Sequence, residues 1–410
     1  MPPSDPAAPD VPPASAPEAA AAPAGGGHAG EVFGAFLRLG LTAFGGPVAH
    51  IGYFREEFVA RRRWLDEAAY ADLVALCQFL PGPASSQVGI ALGLMRGGLG
   101  GAAAAWVAFT LPSALLMALA ALGIGWLSGA GGLTAEALSG LKAAAVAEVA
   151  VALWSMARSL TPDAPRATIA VAAAALVTLW GAAAAQMVAI GLGAVAGLAL
   201  VRPDVRPAAA RIPLPIGRRT AAAALGLFLA LLGGLPLLGG PHLLDLFGAF
   251  YRAGALVFGG GHVVLPLLQA EVVAPGWVTP ESFLAGYGLA QAVPGPLFTF
   301  AAYLGMASDG WTGAAVALLA IFLPAWLLVF AALPFWSTLR AHARAQAALA
   351  GVNAAVVGLL AAAFYHPVVT AGVRGPLDFV LVLAALLLLV AWKLPPWLVV
   401  AVVGMAGIWL

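Results

Sequence analysis

Charged side chains are scarce: Asp, Glu, Lys and Arg make up 9% of the 410 residues, against 62% hydrophobic. A soluble chain of this length can bury a core, but its surface needs more charge than 19 basic and 18 acidic side chains supply. Lysine occurs only as Lys142 and Lys393, and the net charge is +1 with no clustered basic face, which excludes nucleic acid as a partner. Cysteine is nearly absent. Cys77 alone forms no intrachain disulfide and has no companion for a CxxC or zinc pattern, so it reads as a packed core thiol, and neither metal nor cofactor is expected. Missing too are any Ser/His/Asp arrangement, HExxH or paired intramembrane aspartates, which argues against a membrane-embedded hydrolase or transferase, so the chain is not expected to be an enzyme.

Apolar runs of about 20 residues recur along the chain, the mark of an all-α polytopic membrane protein whose first partner is the lipid bilayer. The first thirty residues hold many Ala, Pro and Gly, without an apolar run or basic n-region; they read as a disordered tail rather than a signal peptide. Insertion then depends on internal helices, and the expected home is a bacterial inner membrane.

The chain also repeats itself. FGAFLRLGLTAFGG at 33–46 returns as FGAFYRAGALVFGG at 247–260, and a PGP follows each, at Pro81-Gly82-Pro83 and Pro294-Gly295-Pro296. Glu57 with Glu271, Trp64 with Trp277, Gln78 with Gln291 and Pro112 with Pro324 keep an offset of about 211 to 214 residues. The expected organisation is a tail (1–30), a first repeat (31–201), a linker with a connecting transmembrane helix (202–240) and a second repeat (241–410). Apolar segments fall near 33–54, 67–80, 84–96, 100–127, 133–158, 166–181 and 184–201, and again near 245–272, 281–293, 297–308, 312–336, 341–365, 376–391 and 394–410. An unpaired segment near 220–239 joins them.

Two segments per half are interrupted. Phe44-Gly45-Gly46-Pro47 and Phe258-Gly259-Gly260-Gly261 break the first, and PGP separates pieces of about 12 residues, too short to cross a 30 Å core singly. Broken helices or re-entrant hairpins fit, and such backbone is tolerated at membrane depth only where protein or water satisfies it. If both interrupted segments enter and leave on one side, Arg61 to Arg63, Arg96, Arg158, Arg166 and the loop from Arg202 to Arg219 share a cytoplasmic face. The connecting segment then inverts the second half, with Arg340, Arg344 and Lys393 back in the cytoplasm and Arg374 the exception. This favoured count has nine full crossings and four broken segments; six plus one plus six crossings is the alternative, also inverted.

Inverted repeats with broken helices build secondary transporters, with substrate held near the midplane where the repeats meet. Half-helix N-termini bind anions without charged side chains. The candidate substrate residues are therefore Gly45, Gly46, Pro47, Gly259, Gly260 and Gly261, with Ser85, Ser86 and Gln87 after one PGP and Thr299 after the other. Close helix packing is the competing reading of the glycines. Arg38 and Arg252, matched inside apolar segments, either pair with an anion or carboxylate or snorkel to an interface. His50 and His262 follow the breaks at non-equivalent positions and either donate and titrate there or are satisfied by backbone carbonyls. Glu57 and Glu271 either accept protons or pair with arginine, or sit at solvated helix ends. Lys142 and Glu148 occur in one copy only, opposite Asn353 and Leu359; their spacing of six puts them on different faces, and Glu148 is the leading candidate for proton coupling.

FGGP with His50, PGP with Ser85, Ser86 and Gln87, FGGGH and QAVPGP together resemble the signature of the chromate ion transporter family, in its long form with both halves fused. The resemblance covers nearly everything from Phe33 to Leu410. It implies a bacterial inner-membrane protein exporting chromate, a sulfate-like dianion, with a link to the proton motive force. It also implies that the FGG and PGP segments form the functional core. Two departures stand out: Pro47 becomes Gly261, and His50 has no histidine opposite it, so the site is not symmetric. A sulfate or molybdate carrier and an anion channel are the alternatives, and a homodimer is compatible with the sequence.

Overall fold

The computed structural model describes residues 28–129, 133–181, 183–202, 216–336 and 342–409. The expected tail lies almost wholly outside the described residues, as do Arg340 and most of the loop between Arg202 and Arg219. Among the described residues there is no strand.

The first half comprises α1 (Ala29–Thr42), α2 (Gly46–Phe54) with a π-helical extension (Arg55–Arg61), α3 (Glu67–Phe79), α4 (Ala84–Gly129), α5 (Leu133–Leu160), α6 (Ala164–Trp180) and α7 (Ala183–Leu200). The connecting helix α8 (Arg218–Gly234) follows. The second half repeats the order with α9 (His242–Ala255), a 3-10 turn (Gly261–Val263) leading into α10 (Val264–Val272), and α11 (Pro280–Ala292). A second 3-10 turn (Leu297–Thr299) leads into α12 (Phe300–Ala332), followed by α13 (Ala343–Ala363), α14 (Pro376–Leu386) and α15 (Pro396–Trp409). Five helical stretches are long and apolar enough to cross a membrane, including Arg218–Leu237 at the junction of the halves. Leu111, Leu115, Leu119, Leu192, Leu225 and Leu229 stand exposed on their helices, a surface that suits hydrocarbon and not water.

Helices α4 and α12 each hold a sharp turn at equivalent places. Gly97 and Gly98 have φ/ψ of −136/22 and 61/−153; Asp309 and Gly310 have −135/26 and 62/−150. The positive φ suits glycine, which carries no Cβ to clash with the backbone. Beyond the turn the chain folds back so closely that a Cβ on Gly93 would lie 2.5 Å from the Gly101 carbonyl oxygen, and Gly305 meets Gly313 in the same way. The pieces before each turn, residues 84–96 and 300–308, reach at most about 20 Å at 1.5 Å per residue, too little to span alone. They match the short segments expected from the sequence.

The halves interdigitate. Helix α5 packs against α11, α14 and α15 of the second half, whereas its counterpart α13 packs against α6 and α7 of the first. Helices α4 and α12 lie against each other, with α1 on α4 and α9 on α12. Small residues permit these approaches: Gly193 and Gly197 face Gly351, and Gly140 faces Val403 and Gly404.

Candidate functional site

Helix α1 ends where Ala43 turns extended, and α2 starts again at Gly46 after Gly45 (φ 99°) and Gly46 (φ 73°) have both taken positive φ. Gly259 (φ 74°) and Gly260 (φ 144°) do the same after α9. No side chain caps the start of α2 or of the Gly261–Val263 turn; Pro47 has no N–H and the Val263 N–H donates to the Gly260 carbonyl at 3.3 Å, which leaves the N–H groups of Gly46, Gly261 and His262 for a ligand.

Two reciprocal hydrogen bonds bring the four breaks together. The Gly82 N–H donates to the Val257 carbonyl at 2.7 Å, and the Gly295 N–H donates to the Ala43 carbonyl at 2.9 Å. Gly82 and Gly295 are the centres of the two PGP motifs, and Val257 and Ala43 immediately precede the two FGG motifs. Each PGP is thus fastened to the FGG of the other half. Pro47 also meets its own counterpart: a Cβ on Gly261 would lie 3.1 Å from Pro47 Cγ. This explains why the motif differs there, since two rings at one point of contact would overlap.

Around the first break, His50 is buried with Nε2 3.1 Å from the Ala43 carbonyl and Nδ1 3.4 Å from Ser85 Oγ. A carbonyl only accepts, so Nε2 carries the proton and the Ser85 hydroxyl donates to Nδ1. The histidine is therefore held by a carbonyl and a serine from the helix after PGP. Gln87 Nε2 donates to the Pro81 carbonyl at 2.8 Å, while its Oε1 and the Ser86 hydroxyl are buried without a protein partner. Thr299 donates to the Pro296 carbonyl at 2.8 Å and is committed to its own turn. Orphaned buried polar atoms are rare, and a bound anion or water is the usual reason for them.

Around the second break, His262 Nδ1 lies 2.8 Å from the Tyr287 hydroxyl and 3.4 Å from Gln291 Nε2. Asn353, half-buried on α13 with its Oδ1 buried and unpartnered, sits beside Gly259. Glu148 on α5 is 6% exposed and its Oε1 is unpartnered. The sequence reading did not single out Tyr287 as a site residue. The available signal was its counterpart Val74, a polar-for-apolar exchange between copies.

The matched charges separate. Arg252 grips Glu271 with Nε at 2.9 Å from Oε1 and Nη2 at 2.6 Å from Oε2, so this arginine is paired with a carboxylate. Arg38 differs from expectation: it lies on the exposed face of α1 and is not brought to the breaks, because it falls on the side of that helix opposite the Phe36 and Leu39 packing. Glu57 also departs from a solvated helix end, being buried and accepting from Arg61 Nη2 at 2.6 Å and Arg62 Nε at 2.7 Å. Lys142 is buried, with Asp378, Arg374 and Glu281 as the charges around it. Arg374, the exception to the arginine count, pairs with Glu281, and its N–H donates to Asp378 at 2.9 Å. Its charge is committed locally. Among the described residues no group of three or more His, Cys, Asp or Glu is placed to hold a metal ion.

A family model described as "Chromate transporter" matches residues 30–198 and 244–408. The chain belongs to the chromate transporter family. The two matched segments are the two halves, and α8 falls between them. Among relatives in the chromate transporter family, the chromate transport protein of Pseudomonas aeruginosa is 31% identical over 399 residues, covering 93% of this chain and 92% of its own. The probable chromate transport protein of Synechococcus elongatus is 29% identical over 382 residues, covering 91% and 93%. An uncharacterized transporter of Bacillus subtilis is 38% identical over 125 residues, covering 29% of this chain and 64% of its own. No solved structure matches. Family and apolar helices together make this a multi-pass membrane protein of the chromate transporter family.

Proposed function

We propose that this protein is a secondary active transporter that exports chromate across the bacterial inner membrane, giving chromate resistance, by alternating access between halves of opposite orientation. The reading rests on the reciprocal pair of hydrogen bonds from Gly82 to Val257 and from Gly295 to Ala43, which gathers both FGG and both PGP breaks at one interface between the halves. Substrate in such carriers binds where repeats meet. Chromate is a tetrahedral dianion, suited to the uncapped N–H groups after Gly45 and Gly260 and to the unpartnered Ser86 hydroxyl. In this reading Glu271 holds Arg252 while the site is empty and yields it to the anion. The relatives named chromate transport proteins support the choice of substrate.

Export of a dianion from a cell that is negative inside is favoured by roughly 4–5 kcal/mol per 100 mV, so a coupled proton is needed only against steeper gradients. Everted vesicles carrying the protein are expected to accumulate labelled chromate faster than vesicles without it. Equal uptake refutes the proposal. Equimolar sulfate that halves the uptake or more would make the protein a general sulfate-type carrier, and flux that fails to saturate would make it a channel.

A further inference from the structure

The two copies are not packed alike. Helix α11 docks on α5, with Gly288 so close that a Cβ there would lie 2.6 Å from the Leu141 carbonyl and 3.5 Å from Ala145 Cβ. The equivalent helices α3 and α13 do not pack on each other in this way. Leu141, Ala145 and Glu148 follow one another at helical spacing, so the face of α5 that meets α11 ends at the carboxyl of Glu148. On α11, Tyr287 and Gln291 flank the docked Gly288, and both reach His262, one residue past Gly261 of the second break.

Glu148 at the α5–α11 contact, Tyr287 on α11 and His262 at the FGG break form a polar series that occurs once. Its counterparts in the other pairing are Leu359, Val74 and Val48, all apolar. Gln291 Nε2 can only donate, so His262 Nδ1 accepts, and the Tyr287 hydroxyl donates to the same nitrogen. The tyrosine oxygen also receives the Gln291 side chain and keeps one lone pair for a further donor. Ionised Glu148 offers none; protonated Glu148 offers one O–H. The orphaned Oε1 thus becomes a partner for Tyr287 only when it carries a proton.

Among the described residues the other titratable groups on α5 and the helices packed against it are placed as follows: on α5, Arg158 is exposed and Glu136 lies twelve residues before Glu148. Helix α15 has none, α14 has only Asp378 beside Ser139, α13 has only Arg344 in its first turn, and α4 has only Arg96, which pairs with Glu31. On α11 the remaining group is Glu281, held by Arg374, and on α5 itself Lys142 lies by Asp378. Tyr365 and His366, past the end of α13, are exposed.

We propose that Glu148 is the site at which the carrier binds its coupled proton, and that the protonated carboxyl, through Tyr287 and His262, fastens α11 to α5 and closes one side of the transporter. The inference rests on the transporter reading above. It is tested on purified full-length protein in liposomes by two assays: chromate counterflow at equal pH, and chromate accumulation driven by an imposed pH gradient. Wild-type protein without counterflow would sink the transporter reading itself. Given wild-type counterflow, Glu148→Gln, which mimics the protonated carboxyl, is expected to keep counterflow while losing pH-driven accumulation by roughly tenfold or more, the scale of ordinary coupling between sites. Tyr287→Phe, which keeps the carboxyl but removes its partner, is expected to shift the pH dependence of accumulation. Undiminished pH-driven accumulation in Glu148→Gln overturns the inference, and so does loss of counterflow together with it in protein that remains monodisperse.

Discussion

Pro47 and Gly261 allow the packing of the two halves to be tested by moving one ring. A Cβ at position 261 stands 3.1 Å from Pro47 Cγ, whereas carbon atoms rest about 3.5–4.0 Å apart, and a proline at 261 adds two further ring atoms to that contact. Overpacking of this kind costs about 1–3 kcal/mol. The Gly261 N–H donates no backbone hydrogen bond among the described residues, so Gly261→Pro loses no such bond and its cost is steric. Pro47→Gly removes the opposing ring and is expected to cost about 0.4–1 kcal/mol through the freer chain alone. The double variant, with the ring carried by the other copy, then regains the clash energy, giving a coupling of about 1–3 kcal/mol where independent sites add within about 0.5 kcal/mol. The measurements are the unfolding midpoint of the purified protein in detergent and chromate uptake by vesicles. Gly261→Pro should be the worst of the three variants in both. Strict additivity, or a double variant worse than Gly261→Pro, would refute the direct meeting of Pro47 with its counterpart.

Three further outcomes follow from the described contacts. Arg252→Ala strands the partly buried Glu271 carboxylate and should lower stability by about 1–3 kcal/mol, less than the 3–5 of a fully buried pair, and abolish uptake, whereas the exposed Arg38→Ala should leave both near wild type. Gly254→Leu should prevent accumulation of folded protein, since even a Cβ there meets the backbone of Ile321 in α12; normal yield and midpoint would contradict the close packing of α9. Ala60 and Ala274 are exposed at matched positions after α2 and α10, so single cysteines there, in protein carrying Cys77→Ala, should react with impermeant reagents from opposite sides of the membrane. Labelling from one side would end the inverted reading.

The duplication and its breaks were legible because glycine and proline punctuation is local: Gly45-Gly46, Gly259-Gly260 and the two PGP motifs interrupt helices whatever packs around them. The short pieces at 84–96 and 297–308 could be read for the same reason. Partner choice could not. The faces that let α5 receive α14 and α15, and α13 receive α6 and α7, are Ala- and Gly-rich, and so are most faces in this chain, so small-residue periodicity names a close approach without naming the neighbour. The matched arginines were ambiguous on similar grounds. Both Arg38 and Arg252 lie six residues before an FGG, yet Glu271 is within reach of Arg252 while Glu57 is taken by Arg61 and Arg62. Tyr287 was hidden because a lone tyrosine in an apolar helix reads as core until His262 is known to stand 2.8 Å away.

Those differences between copies bear on how the proposed carrier would favour one direction. Two identical inverted halves can exchange conformations to give two states of equal energy, open to either side, and neither state is then preferred. Wherever the copies differ, the exchange no longer returns the same contacts. Pro47 against Gly261 is nearly neutral, since exchanging the halves preserves one ring against one glycine. Glu148, Tyr287 and His262 against Leu359, Val74 and Val48 are not: the state in which α11 docks on α5 makes the polar chain, and the opposite state sets apolar side chains at the equivalent contact. On the proposed mechanism only the first state gains from a proton, so proton concentration shifts the balance between them by the differential affinity of that single carboxyl. Converting these residues to their apolar counterparts, Glu148→Leu with Tyr287→Val and His262→Val, should therefore leave a carrier whose chromate exchange is indifferent to pH, while the different ion pairs of Glu57 and Glu271 keep the two directions unequal.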